Sequence, residues 1–464
     1  MRKAAERTED GIKTIRRFPG GVVAPPPSKS LSHRAVICAA LAARESGAIG
    51  GGIAQCGADN GNTDSNGPNG RGRESVIYNL GASEDVEATL EGIKALGVCW
   101  ERGGTENACL RVFHRGGVPD TVSNRRGGED EPIDCAESGS TLRFLIPVFA
   151  LEKREVCFSG RGRLLERPLD VYRTAFAEAG AELAKEPDRV RVRGPLRSGV
   201  FTIPGDVSSQ FVSGLLFALP LLDGDSEIRL SSPLESRGYA ELTVDVMERF
   251  GVRVQAPDEY RFLISGGQRY RPAEYEVEAD YSQAAYFLAA AALGRDVWCS
   301  GLNPDSRQGD RAILRVLEEM GAGIVRKDDL VSVRARRLKA VNVDAREIPD
   351  LVPPIAALCC FCEGASRIEN AGRLRLKESD RLKAMTSELS KLGASVIEKE
   401  DGLIIEGSGS LRGGRVDAWN DHRIAMSMAL AAIRCEGPVE LSGWRSVSKS
   451  YPGFWDDFER DESI

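Results

Sequence analysis

Six segments of this chain open with hydroxyl, acidic or cationic residues and then run apolar on nearly every face, which marks helices buried all round. The first spans residues 28–43, SKSLSHRAVICAALAA. Residues 138–143 (SGSTLR) open the run 144–151, and Ser208-Ser209-Gln210 opens 211–222. Ser282-Gln283 stands before 284–293, Asp350 before the run to residue 362, and Asp421-His422-Arg423 before 424–433.

Between these lie helices of another kind, amphipathic and closed by a glycine suited to a left-handed C-cap: 83–97, 169–180, 239–251, 309–321 and 379–393, with a shorter one expected over 452–460. Short β-prone stretches flank them, such as 189–193 (RVRVR), 228–230 and 403–405. Each unit therefore reads as strands around one buried and one exposed helix. In the later units the period is about 70 residues, too long for a solenoid repeat, so the repeat is a small α/β subdomain. At 464 residues the chain exceeds what one core supports, so two lobes of three units each are expected.

The first buried helix carries a charge pattern that needs explaining. Lys29 and Arg34 sit in its opening turns, where the helix dipole already concentrates positive charge. A cation at that end is disfavoured by roughly 0.3–1 kcal/mol, so an anion is expected beside it. Ser30 lies four residues before Arg34 on the same face, and the free N–H groups of the first turn complete a cradle for phosphate or carboxylate.

Bulk charge does not supply that attraction. With 62 basic and 69 acidic side chains the net charge is −7, which gives no reason to expect nucleic acid or an anionic membrane as partner. Anion binding is therefore local. No uninterrupted apolar run reaches membrane-spanning length, and the first dozen residues mix acids with bases, so a cytoplasmic enzyme is expected. Eleven cysteines, odd in number and scattered, suit a reducing compartment. Cys359, Cys360 and Cys362 cluster without a second Cys or His pair at ligand spacing, so they read as part of a buried helix and not as zinc ligands. Residues 46–73, rich in Gly, Asn and Asp, read as a flexible insertion, and 115–131 as a second polar excursion. The three glycines Gly50 to Gly52 fit neither nucleotide-loop spacing.

Eight motifs, in order, resemble those of the 5-enolpyruvylshikimate-3-phosphate synthase family of enolpyruvyl transferases. They are Pro27-Ser28-Lys29-Ser30-Leu31-Ser32-His33-Arg34-Ala35, Glu137 to Arg143, Glu166-Arg167-Pro168, Ser208-Ser209-Gln210-Phe211, Ile348-Pro349-Asp350, residues 376–382 (LKESDRL), residues 421–426 (DHRIAM) and Lys449-Ser450-Tyr451-Pro452. The resemblance covers about 28–458. It implies a two-lobed α/β fold, an inverse α/β barrel in which each lobe holds three βαβαββ units around buried helices whose N-termini face the cleft between lobes. The expected lobes are 1–27 with 280–464, and 28–279.

The resemblance also implies a reaction: the enolpyruvyl group of phosphoenolpyruvate passes to the 5-hydroxyl of shikimate 3-phosphate through a tetrahedral adduct, with release of phosphate. Lys29, Gly139, Arg167, Gln210, Arg381, Arg423 and Lys449 would hold phosphoenolpyruvate. Lys29, Ser30, Arg34, Ser208, Ser209, Gln210, Ser236, Asp350 and Lys377 would hold shikimate 3-phosphate. Asp350 would accept the proton of the attacking hydroxyl, Glu378 would protonate the methylene carbon, and Lys29 would join them in catalysis. Forked guanidinium donors suit the planar carboxylate. The resemblance implies no metal or organic cofactor and a monomer.

Other residues beside these motifs read as structural. Asp380 explains itself as an acid in a first helical turn, and His33 and His422 as hydrogen-bonding partners next to arginines already assigned. His114 reads as a loop residue. Glu137 and Arg373 stand where many or some relatives carry Asn, so neither enters the expected site. The nearest alternative is transfer onto UDP-N-acetylglucosamine, but this chain has Ser-Lys-Ser-Leu-Ser-His-Arg where that family carries an asparagine-bearing lysine motif. A noncatalytic anion binder would not need both Asp350 and Glu378.

Overall fold

The computed structural model describes residues 11–15, 18–49, 74–104, 109–114, 131–335 and 337–459. The chain divides into two compact units, Met1–Ser28 with Glu278–Ile464, and Lys29–Val277, each with its own apolar core. Ser28, Glu278 and Ala279, which the sequence reading put in the second lobe, belong to the first unit. Backbone pairing holds them there: Ser28 N–H donates to Glu278 O at 2.8 Å, Asp280 N–H donates to Pro26 O at 2.9 Å, and Pro27 bridges Ala279.

The buried helices are α1 (Lys29–Ile49), α3 (Gly139–Phe149), α5 (Ser209–Ala218), α7 (Tyr281–Ala292), α9 (Val352–Cys359) and α11 (His422–Ala432). The amphipathic ones are α2 (Glu84–Ile93), α4 (Asp170–Glu178), α6 (Arg237–Arg249), α8 (Ile313–Glu319), α10 (Arg381–Lys391) and the short α12 (Phe454–Phe458). All twelve expected helices are present. Every residue of α7 is buried, and its alanines let neighbouring helices approach closely. The five expected C-terminal glycines, Gly97, Gly180, Gly251, Gly321 and Gly393, take φ between 78° and 95°, the left-handed region that ends a helix without a Cβ clash.

Helix α1 runs to Ile49, past its expected end at residue 43, so the first residues of the expected insertion are helical. Two contacts favour this extension: Ser46 Oγ donates back to Ala42 O at 3.0 Å, and Arg44 pairs with Glu152 at 3.3 Å. Residues 50–73 of that insertion, and 115–130 of the second excursion, lie outside the described residues.

Among the described residues each unit carries three sheets, five of them four-stranded and one three-stranded. The four-stranded sheets share one pattern, a parallel pair followed by two antiparallel neighbours. Val200–Ile203, Ser226–Leu230, Arg261–Ile264 and Gln255–Asp258 illustrate it, with α5 and α6 as the crossovers of one βαβαββ unit. Three sheets borrow strands from afar, one of them by pairing Lys13–Ile15 antiparallel with Val439–Ser442. Glu274–Glu276 completes the sheet of Glu74–Tyr78, and Gly21–Val23 pairs in parallel with Val297–Cys299. Strands such as Ala365–Glu369 alternate exposed and buried, so each sheet covers helices with one face and meets solvent with the other.

Close helix packing makes one substitution informative. Gly214 lies in α5 where it crosses α3, and an added Cβ would intrude on Tyr172 Oη and Arg143 O. The Tyr172 hydroxyl already donates to Arg143 O at 2.8 Å and contacts Phe211 O at 3.1 Å. Alanine ordinarily favours a helix over glycine, but overpacking here reverses the sign. Gly214→Ala is expected to lower the unfolding free energy by about 1–3 kcal/mol, measured by urea titration, whereas a gain in stability would contradict this packing.

Candidate active site

In the first unit the N-termini of the buried helices meet around two arginines. Asp280 caps α7, accepting from Ser282 N–H at 2.7 Å and Gln283 N–H at 3.2 Å. Asp421 caps α11 by accepting from Arg423 N–H at 2.9 Å. Asp350 stands in the turn Pro349–Leu351 that leads into α9. Arg423 joins all three helices, for its Nη2 donates to Ser282 Oγ at 3.1 Å and to Asp350 Oδ2 at 3.0 Å.

Arg381, the first residue of α10, has a side chain only 2% exposed and serves three carboxylates. Its Nε donates to Asp421 Oδ2 at 2.8 Å, its Nη1 to Asp350 Oδ1 at 3.0 Å, and its Nη2 to Glu378 Oε2 at 2.7 Å. Lys377 Nζ lies 4.0 Å from Asp350 Oδ1. Lys449 Nζ donates to Asn420 O at 2.7 Å, in the turn before Asp421. The structure thus brings together Asp350, Lys377, Glu378, Arg381 and Arg423 and sets Lys449 beside them.

The charges of this cluster tune one another. Burial alone would raise the pKa of Asp350, but Arg423, Lys377 and Arg381 hold it well below the usual carboxylate range. Burial pushes the Lys377 ammonium down to about 8; Asp350 and Glu378 oppose the shift, and Arg381 and Arg373 add to it. Burial lowers Arg381, yet the three carboxylates outweigh it and the guanidinium stays charged.

In the second unit the expected residues lie around the starts of α1, α3, α5 and α6. At α3, Ser138 is the N-cap, and a methyl group added to Gly139 would lie 2.7 Å from Arg167 Nη1 and 3.4 Å from Gln210 Oε1. Gln210 is held from both sides, accepting from Arg143 Nη1 at 2.7 Å and donating to Ser140 Oγ at 3.0 Å. Ser208 caps α5 and accepts from Gln210 N–H at 3.3 Å, with Ser209 as the first helical residue.

At α1, Lys29 Nζ donates to Asp85 Oδ2 at 2.7 Å, so the expected anion is in part a carboxylate of the protein itself. Arg34 is spent inside its unit, with Nε on Thr243 Oγ1 at 2.8 Å, Nη1 on Ser30 O at 2.6 Å and Nη2 on Tyr239 O at 2.8 Å. Burial pushes its pKa down to about 10, which leaves it cationic at neutral pH. Ser236, the N-cap of α6, is buried and takes φ 54°, a left-handed conformation rare outside glycine.

Sequence reasoning missed several partners. Asp85 carried no signal beyond being an acid in a first helical turn. Arg143, Ser282 and Asp421 lay inside motifs already singled out, but only their long-range contacts reveal what they hold. Asp380 caps α10 as expected, accepting from Lys383 N–H at 3.1 Å. His33 Nδ1 sits 2.7 Å from Thr89 Oγ1, and burial with Lys29 and Arg34 nearby pushes its pKa well below the ordinary value, so it is neutral. Arg373 donates to Arg346 O, and Glu137 packs against Gly162.

A sequence profile described as EPSP synthase (3-phosphoshikimate 1-carboxyvinyltransferase) matches residues 70–458. The 3-phosphoshikimate 1-carboxyvinyltransferase of Clostridium kluyveri is 43% identical over 440 residues, covering 94% of each chain. The chain belongs to the EPSP synthase family. The enzyme of the same name from Clostridium novyi is 42% identical over 459 residues, or 97% of each chain. Among solved structures, EPSP synthase of Acinetobacter baumannii superposes with a TM-score of 0.71 at 24% identity, covering 96% of this chain and 97% of that one. The enolpyruvyl transferase NikO of Streptomyces tendae gives 0.71 at 16% identity over 97% of each chain. These two show the shared enolpyruvyl-transferase fold. Among the described residues no helix is long and apolar enough to cross a membrane.

Proposed function

We propose that the chain transfers the enolpyruvyl group of phosphoenolpyruvate to the 5-hydroxyl of shikimate 3-phosphate, releasing inorganic phosphate. Membership of the family over nearly the whole chain supports the reaction. The observation that carries the site is Arg381, one buried guanidinium that binds both Asp350 and Glu378. On this reading two proton carriers flank a cationic centre.

The attacking hydroxyl adds to C2 of phosphoenolpyruvate and gives its proton to Asp350, while Glu378 delivers a proton to C3. The adduct then loses a proton from C3 and expels phosphate, which restores the double bond. In the resting protein Asp350 is a poor base, because its cations hold it strongly as the anion. Anionic substrate binding at Arg423 and Arg381 would screen those cations and raise its basicity. Arg381, Arg423, Lys449, Lys29, Gly139, Arg167 and Gln210 would hold phosphoenolpyruvate. Ser30, Ser208, Ser209, Ser236 and Lys377 would hold shikimate 3-phosphate, with Arg34 fixing α1 beside them. The reading takes the chain to act as a monomer in the cytoplasm.

Phosphate release tests the reaction. Purified protein should release phosphate only when shikimate 3-phosphate and phosphoenolpyruvate are both present. Turnover with UDP-N-acetylglucosamine in place of shikimate 3-phosphate would overturn the assignment, and no turnover with either would point to an inert anion binder.

Lys377 gives this reading a pH signature. With a pKa of about 8 it is cationic below that pH and neutral above it. Its hold on a phosphorylated substrate should therefore weaken as pH rises, so kcat/KM for shikimate 3-phosphate is expected to fall above pH 8. Lys377→Arg should move that fall to higher pH, since guanidinium stays charged. A profile with the same descending limb in both proteins would remove Lys377 from substrate binding.

A further inference from the structure

Directly before α11 the backbone takes an unusual course. Trp419 and Asn420 both adopt the left-handed conformation, with φ 54° and 53°, and neither is glycine. Two such residues in succession persist only where the surroundings hold them, and such turns concentrate at functional sites. This turn carries Asn420 O, which receives Lys449 Nζ, and it aims Asp421, which caps α11 and binds Arg381.

The hold comes from α10. Glu388 has no side-chain exposure and lies seven residues after Arg381, two turns along the same face. Its Oε2 accepts from Asp417 N–H at 2.8 Å and its Oε1 from Trp419 Nε1–H at 2.8 Å. Lys391 Nζ supplies the compensating charge at 2.7 Å, and Ser387 Oγ donates at 3.0 Å. Helix α10 therefore grips the turn twice, through Arg381 on the Asp421 side chain and through Glu388 on the segment just before it.

We infer that Glu388 is a positioning residue for the phosphoenolpyruvate subsite. Its carboxylate locks the Trp419–Asn420 turn and thereby places the Asn420 carbonyl, Lys449 and the cap of α11 that carries Arg423. The inference rests on the proposed function for the identity of the ligand. A glutamine at this position offers one acceptor atom where the carboxylate offers two, and it turns an N–H toward the Asp417 amide or the Trp419 indole. One N–H donor of the turn loses its acceptor while α10 keeps its shape.

Steady-state kinetics on the full chain separate this role from a merely structural one. Glu388→Gln is expected to raise KM for phosphoenolpyruvate roughly tenfold and leave KM for shikimate 3-phosphate within about twofold, the scale of one lost charge-assisted hydrogen bond. In the ligand-free protein the indole N–H resonance of Trp419, assigned by its loss in Trp419→Phe, should shift in Glu388→Gln. Trp419→Phe keeps an aromatic side chain, though a smaller one, and removes the Nε1–H donor, so it should show the same split at smaller size, and it decides the matter if Glu388→Gln does not fold. Equal rises in both KM values, or a phosphoenolpyruvate KM within about twofold of the parent in a folded variant, would overturn the inference. A parent protein without turnover would instead overturn the functional reading.

Discussion

Replacing Arg381 by methionine is expected to lower the unfolding free energy by about 3–5 kcal/mol and to bring turnover to the assay floor. The guanidinium is the shared partner of Asp350, Glu378 and Asp421, and the Asp421 side chain is fully buried. Methionine fills similar volume without a donor, so the carboxylates would face one another without their common counter-charge. Asp421 would suffer most, because it also caps α11. Lysine at the same position keeps the charge but presents one ammonium where three separate N–H directions are used, so Arg381→Lys should recover only part of the loss. Guanidinium chloride titration measures the effect. An unchanged midpoint in Arg381→Met would mean that this network contributes nothing to stability.

The second large effect is chemical. Glu378→Gln is expected to lower kcat by about 10²–10⁴-fold, the usual range for a lost general acid, with substrate affinities retained. Glutamine can still accept from Arg381 Nη2 through its oxygen, so the bond that now spans 2.7 Å is available and stability should change little. The contrast with Arg381→Met is the point of the pair. One substitution removes the scaffold of the site, and the other removes a single proton. Titration calorimetry with each substrate, beside steady-state turnover, separates the two. Unimpaired turnover would take Glu378 out of the reaction.

Most of the fold was legible in the chain because its determinants are local. Caps such as Ser138 and Asp421, terminal glycines such as Gly393, and the uniform apolarity of α7 each act within a few residues of themselves. Strand exchange was not legible in that way. Pairing of Glu274–Glu276 with Glu74–Tyr78 closes a sheet across about two hundred residues, and no local pattern encodes it. Helix α1 also outran its expected end, because Ser46 back-bonds and Arg44 finds Glu152.

The site divides along the same line. Asp350, Glu378, Arg381 and Arg423 could be named from their motifs, and the structure joins them through hydrogen bonds of 2.7–3.0 Å. What holds them could not be named. Asp85 under Lys29, Arg143 against Gln210 and Glu388 behind Trp419 act through contacts between elements far apart in sequence. The charge puzzle of α1 shows the limit well. Sequence required an anion near Lys29, and the fold supplies one of its own in Asp85.

Solvent isotope incorporation tests the addition–elimination chemistry most directly. If Glu378 protonates C3 and a proton then leaves that carbon, turnover in deuterium oxide must pass through a methyl group carrying solvent hydrogen. The enolpyruvyl methylene of the product should then contain deuterium by mass spectrometry and proton NMR. A methylene that stays fully protiated through many turnovers would contradict the account.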